Sequence, residues 1–179
     1  AEAATGLPRE VMESSEMLQV VRYPQRGHYG CHHDSSPDAI DAGDIRLGTL
    51  ALFLNDVPLG GELAFPGARN GTGAWGEEEW SLLEQRCQAT AACTELGGLV
   101  VRPKKGDGLL WYNVEPRRLP ELASGAPKLG AQAILWSSVH CGAEVKEGEK
   151  WFANLWLRFP QDWLQQRPRK RPRPMAQEL

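Results

Sequence analysis

Hydrophobic positions along this chain fall in short runs separated by Gly, Pro and Asp. Six runs predict β-strands: 17–23, 46–54, 98–102, 108–114, 133–140 and 151–159. Strands this short, punctuated by turn residues, predict a sandwich or barrel. One segment has helical spacing instead, 77–93, with Trp80, Leu83, Cys87 and Ala91 on one stripe and Leu82 off it. The stretch Gly67 to Gly76 reads as a loop, and Pro103 to Gly108 as a polar hairpin turn. The last strand carries the most information. Period-2 alternation puts Lys150, Phe152, Asn154, Trp156 and Arg158 on one face and Trp151, Ala153, Leu155, Leu157 and Phe159 on the other. The second face is a packing face. The first joins two cations, an amide and two aromatics, which suits the lining of a pocket for an anionic ligand; a solvated outer face is the alternative.

Composition adds bounds. The chain has 179 residues, 41% of them hydrophobic, enough for a core without disulfide staples. No apolar run approaches the roughly 18–20 residues of a membrane span. Ala1 to Ala4 do not resemble a signal peptide, and there is no initiator Met. The net charge is −3, but the last thirteen residues, from Arg167, carry five Lys/Arg against one Glu. That is +4 on a Pro-alternating tail and leaves −7 on the body, which excludes a basic nucleic-acid-binding domain. The tail reads as extended and solvated. Cys31, Cys87, Cys93 and Cys141 form no CxxC pair, so a zinc knuckle is not expected, and their pairing stays open among three possibilities. The sequon Asn70-Gly71-Thr72, with these cysteines, leans towards the secretory pathway.

Candidate chemistry centres on His28-Tyr29-Gly30-Cys31-His32-His33-Asp34. In extended chain His32 and Asp34 share a side and His33 points away. One distant histidine, His140, could complete a set of two imidazoles and one carboxylate. Such a facial triad leaves coordination positions open and is the arrangement of non-haem Fe(II) oxygenases. A polar turn and a zinc site that includes His28 are the alternatives. Lys150, ten residues after His140, adds a cation that is costly to bury without an anion. Triad and lysine together match a dicarboxylic keto-acid: one end on the metal, the distal carboxylate on the lysine. Trp111 and Tyr112 read as core.

Taken together, the motifs resemble the catalytic domain of the prolyl 4-hydroxylase family, with the strongest similarity to algal, plant and transmembrane-type members. The matching stretches are Leu18 to Tyr23, Gly27-His28-Tyr29 with His32-His33-Asp34, Arg46 to Asp56, Gly60-Gly61-Glu62 with Phe65-Pro66, Val101 to Asp107, and His140 through Lys150-Trp151 to Trp156. The resemblance implies an all-β core, a double-stranded β-helix (jelly roll) with a few flanking helices. It implies Fe(II) on His32, Asp34 and His140, and 2-oxoglutarate on Lys150 and Tyr23. It places Tyr29, Arg46 and Trp156 along the substrate groove and ascorbate as the agent that keeps iron reduced. The implied reaction is hydroxylation of C4 of peptidyl proline with O₂ and 2-oxoglutarate, giving succinate and CO₂. A hydroxylase of another substrate, or a non-catalytic peptide-binding β-helix, are the alternatives. The expected partner is a Pro-rich peptide, with no nucleic acid, and a membrane only through an N-terminal anchor ahead of residue 1. The expected compartment is the endoplasmic reticulum or secretory pathway. Residues 1–162 are expected to form the catalytic domain, lacking its N-terminal elements, and 163–179 the basic tail. The family's Thr after Gly-Gly-Glu is Leu63 here, which removes one hydrogen bond to the co-substrate unless Leu63 faces the core. Two family positions near Cys93 and Cys141 often carry cysteines, which implies a bridge between them.

Overall fold

The structure, a computed structural model, describes residues 6–68, 77–88, 93–124 and 129–160. The sequon, the basic tail and Ala91 lie outside the described residues. The strands are β1 (Gln19–Tyr23), β2 (Tyr29–His32), β3 (Arg46–Phe53), β4 (Leu59–Gly60), β5 (Leu63–Phe65), β6 (Leu99–Val101), β7 (Gly108–Tyr112), β8 (His140–Gly142), β9 (Val145–Glu147) and β10 (Lys150–Arg158). Among the described residues they form two four-stranded sheets, β1-β10-β3-β7 and β2-β8-β5-β6, and a ribbon, β4-β9. Neighbours pair antiparallel throughout. The fold is strand-rich, as its sequence pattern predicts.

Alternation on β10 explains how the larger sheet is used. Ala153 and Leu157 are buried, and Leu157 joins Phe159, Val11, Ile40, Ile45 and Val114 in a cluster under the flanking helices. Each such Leu or Phe contributes about 1.5–3 kcal/mol by leaving water. Phe152 points the other way, into a cluster with Ala51, Phe53, Leu63, Phe65 and Trp111 between the sheets. The larger sheet therefore has a helix-covered face and a face turned towards the smaller sheet. Arg158 leaves the pattern at a bulge after Leu157 and pairs with Glu16 and Asp44. Close approach of β3 to β7 requires Gly48: a Cβ there would stand 2.8 Å from the Trp111 carbonyl oxygen. Gly60 and Gly61 both have positive φ (81° and 71°), which lets the chain turn from β4 into β5 hard against β9.

The described helices are short: α1 (Arg9–Glu13), α2 (Pro37–Asp41), α3 (Glu77–Gln88), α4 (Leu119–Ala123) and α5 (Gly130–Ala133). In α2 the Ser36 hydroxyl accepts from the Ala39 N–H at 3.1 Å, and Pro37 starts the first turn. In α3 the predicted stripe holds where it can be followed: Leu83 and Cys87 are buried and Leu82 is exposed. The predicted strand 133–140 is a correction. Ile134 makes a single bridge to Val114, Trp136–Ser138 form a 3₁₀ turn, and strand pairing begins only at His140. The reason is local: Ser138 returns both its N–H (2.9 Å) and its hydroxyl (2.7 Å) to the Leu135 carbonyl. β2 shows no apolar alternation, because Cys31 is its one buried residue.

Two disulfides, Cys31–Cys87 and Cys93–Cys141, tie β2 and β8 to residues at and beyond the end of α3, and no described cysteine is free. The expected Cys93–Cys141 bridge is present, and the second pair follows from it. The bridged residues are 56 and 48 apart in sequence, so each bridge removes much unfolded-chain entropy. Replacing both members of either pair with Ser is expected to lower unfolding free energy by about 2–4 kcal/mol in urea titrations. Alkylation of oxidised, denatured protein should label none of the four cysteines; labelling of a pair would refute that bridge.

Candidate functional site

The two site histidines meet because β2 and β8 are neighbours, with His32 directly opposite His140 in the register. Asp34 lies just past the end of β2 and turns back towards both. Its carboxylate oxygens lie 3.5 Å from His32 Nε2 and 3.8 Å from His140 Nε2, and the two rings are 4.3 Å apart. Among the described residues, His32, Asp34 and His140 are one of two groups whose possible metal-ligating atoms all lie within 4.8 Å of one another; the other consists of disulfide-bonded cysteines. His28 is exposed and stands outside it. His33 points away, as alternation predicts, and its Nε2 meets the Ser138 hydroxyl at 3.0 Å.

Both site imidazoles are oriented by backbone. His32 Nδ1 lies 3.0 Å from the Gly30 carbonyl and His140 Nδ1 lies 3.0 Å from the Ser138 carbonyl. A carbonyl can only accept, so each Nδ1 carries the proton and each Nε2 presents its lone pair to the centre. Asp34 and His140 are buried. Burial pushes the His140 pKa down to about 4, against the pull of Asp34. Burial also opposes ionisation of Asp34, but the His32 contact, His140 and the Thr49 hydroxyl outweigh it and hold the carboxyl below its ordinary range. At neutral pH His140 is therefore neutral and Asp34 ionised, the protonation states that a divalent cation requires of its ligands. Two imidazoles with Nε2 turned to the centre and one carboxylate, on a partly open wall, fit Fe(II).

A cavity of about 540 Å³ opens over this cluster. Lys150 lines it and is 3% exposed. Its Nζ approaches the Phe152, Tyr23 and Phe53 rings at 4.7, 5.6 and 5.7 Å. Among the described residues it has no carboxylate partner within ion-pair distance. Burial pulls its pKa down to about 8, against the opposing charge of Glu62. Tyr23 faces Lys150 across the β1–β10 register and lines the same cavity. Burial raises its phenol pKa, so it remains a protonated donor. A Cβ on Gly142 would lie 3.9 Å from Lys150 Nζ. Gly142 is two residues beyond His140 on the same strand face, so lysine and imidazole are separated by about 7 Å along β8. That spacing suits a short dicarboxylate with one end at each. Leu63 is buried in the cluster with Phe53 and Phe152 and also lines the cavity, so it replaces a hydroxyl with an apolar wall.

The three residues expected along the groove all line this cavity. Tyr29 is 53% exposed, its ring edge-on to His32 at 4.5 Å. The Arg46 guanidinium lies 4.1 Å above the Trp156 ring and makes a two-point pair with Glu16 at 2.7 and 2.9 Å. Trp111 is core, as read, in the cluster between the sheets, and its ring packs 4.7 Å from His140. Sequence reasoning missed two site residues. Thr49 donates to Asp34 Oδ2 at 2.6 Å, and Asn113 donates to Thr49 Oγ1 at 3.2 Å. The available signal was a polar Thr49 between Leu47 and Ala51 on the buried face of a strand.

Comparisons with known proteins bear on this geometry. The 2OG-Fe(II) oxygenase superfamily model matches residues 18–158. The transmembrane prolyl 4-hydroxylase of Homo sapiens is 34% identical over 171 residues, covering 86% of this chain and 32% of that protein. Probable prolyl 4-hydroxylase 4 of Arabidopsis thaliana is 31% identical over 155 residues, covering 86% of this chain and 44% of that protein. The chain thus spans less than half the length of these relatives. Among solved structures, the viral collagen prolyl hydroxylase of Paramecium Bursaria Chlorella virus-1, in its 2OG complex, superposes with a TM-score of 0.51 at 25% identity, covering 80% of this chain and 57% of that one. The match takes in both sheets, the paired histidines and the buried lysine, and on that ground the chain belongs to the 2OG-Fe(II) oxygenase superfamily.

Proposed function

We propose that this chain is the catalytic domain of a prolyl 4-hydroxylase, acting on C4 of proline in a Pro-rich peptide. The observation that carries the reading is one cavity with a two-histidine, one-carboxylate cluster and a buried lysine that has no carboxylate partner among the described residues. Relatives named prolyl 4-hydroxylases give the substrate class. The two sheet orders fit a double-stranded β-helix closed by antiparallel pairs. In this reading 1–162 is the catalytic domain and 163–179 a basic extension.

His32, Asp34 and His140 would hold Fe(II) through the two Nε2 atoms and a carboxylate oxygen. When bound, the iron supplies the oxidising chemistry by which O₂ and 2-oxoglutarate become succinate and CO₂ while a proline C–H becomes C–OH. The chain's residues do the rest. Lys150 neutralises the distal carboxylate, and Tyr23 donates a hydrogen bond to it. Phe53, Phe152 and Leu63 keep water from that end, which strengthens the charge pair. Tyr29, Arg46 and Trp156 line the mouth, where flat aromatic faces suit an extended, polyproline-II-like peptide. Ascorbate would maintain reduced iron. Two buried disulfides favour an oxidising compartment, the endoplasmic reticulum or secretory pathway.

Succinate release from 2-oxoglutarate, with Fe(II), ascorbate and Pro-rich peptides, tests activity and substrate together, and mass spectrometry of the peptide locates the added oxygen. His32→Ala and His140→Ala are each expected to abolish succinate formation with an unchanged circular dichroism spectrum. Succinate at the wild-type rate from either variant would sink the ligand assignment.

Lys150→Ala should raise the KM for 2-oxoglutarate roughly 100-fold or more, because a buried carboxylate loses its partner. The pH dependence follows from its pKa of about 8. The protonated form binds the dicarboxylate, so KM is expected to be flat below pH 8 and to rise by roughly tenfold per pH unit above it. A flat KM between pH 8 and 9.5 would place the cation elsewhere. In the free protein the sign is opposite to that of a stabilising pair. The folded pKa lies below the ordinary lysine value of 10.5, so the protonated lysine costs stability below pH 8, and that cost is relieved as pH rises towards 10.5.

A further inference from the structure

Asp34 is the one member of the cluster outside a strand, and a carboxylate rotates readily about its last bond. Both oxygens face the histidines: Oδ1 lies 3.5 Å from His32 Nε2 and Oδ2 3.8 Å from His140 Nε2. A line of buried polar side chains reaches Oδ2. Thr49 is 1% exposed and Asn113 0%. The Thr49 hydroxyl has one proton and gives it to Asp34 Oδ2 at 2.6 Å, a short, charge-assisted bond. Its oxygen then accepts from Asn113 Nδ2 at 3.2 Å. That direction fixes the Asn113 amide, and its Oδ1 is left buried without a partner.

The line is rigid at each step. Thr49 is β-branched, with a restricted side-chain torsion, on the inner face of β3 between β10 and β7. Asn113 is pinned through its backbone on both sides: its N–H donates to the Leu47 carbonyl at 2.9 Å, and its carbonyl accepts from Leu135 N–H at 3.0 Å. Leu135 in turn holds Ser138, whose carbonyl orients His140. One residue therefore stands behind two of the three cluster members.

We infer that Thr49, backed by Asn113, is a positioning residue that commits Asp34 Oδ2 to the protein and leaves Oδ1 as the sole oxygen offered to the metal. This rests on the proposed role of His32, Asp34 and His140 as iron ligands. Its consequence is one-oxygen ligation, which keeps coordination positions free for the co-substrate and O₂. Without the Thr49 hydroxyl, both oxygens become available and the carboxylate can occupy a further position.

The test uses Mn(II) and Co(II) binding, which does not require turnover. Thr49→Val keeps the shape and removes the donor; Thr49→Ser restores it. Mn(II) affinity by calorimetry is expected to fall about 10–100-fold in Thr49→Val, the range for a lost ligand-orienting partner, and to return towards wild type in Thr49→Ser. The Co(II) visible spectrum should change shape in Thr49→Val only. Asn113→Leu should weaken binding in the same direction, by less, and add nothing once Thr49 is Val. It also serves if Thr49→Val does not fold, because it leaves the Asp34–Thr49 pair intact. Unchanged Mn(II) affinity and Co(II) spectrum in folded Thr49→Val, with only a lowered Tm, would overturn the inference and leave Thr49 a stability residue. Additive effects of the two substitutions would overturn the linkage to Asn113. Equal Mn(II) binding by wild type and His140→Ala would instead overturn the metal reading itself.

Discussion

The antiparallel pairing of β2 with β8 is the interaction on which the site depends. It sets His32 opposite His140, residues 108 positions apart, and both line the same cavity. The pairing is short: the named partners are Tyr29 with Gly142 and His32 with His140. A ladder of that length is weak by itself. It is held from behind by disulfides. Cys31 precedes His32 and Cys141 follows His140, and alternation turns these sulfurs away from the cavity, into a cluster with Ala64, Val139 and Ala143. Each histidine thus sits next to a covalent anchor that faces the opposite side of the sheet.

Charge is distributed with the same logic. At one end of the cavity, a carboxylate is stabilised by two imidazoles and a hydroxyl. At the other, a lysine is buried among aromatic rings, with no carboxylate within ion-pair distance among the described residues. The first arrangement satisfies itself and attracts a cation. The second is unfavourable until an anion arrives, and it stores binding energy for a ligand that brings its own negative charge. Near the mouth, Arg46 is already paired with Glu16 and stacked on Trp156, so its cation does not compete with Lys150.

Much of this was legible in the chain. Five of the six predicted strands lie where the apolar pattern put them, and β10 separates into a packing and a cavity face as read, except for Arg158 beyond the bulge and the exposed Trp151. The stretch 133–140 is apolar enough for a strand, but Ser138 satisfies the Leu135 carbonyl locally and breaks the ladder. β2 is a strand without an apolar pattern, since its shape comes from pairing with β8 rather than from burial of its own side chains. Trp111 is core as read, and its ring also backs His140.

The sequence by itself determined the donor set: a His-x-Asp triplet, one distant histidine and a lysine ten residues on, each of a type whose chemistry is fixed by its atoms. It also determined the strand alternation that puts Lys150 and Trp156 on one face. Which residues orient that set is settled by packing alone. The Gly30 and Ser138 carbonyls, Thr49 and Asn113 act through backbone and hydroxyl groups that look alike at every position. Their roles come from strand register and burial, which exist only once distant segments have packed.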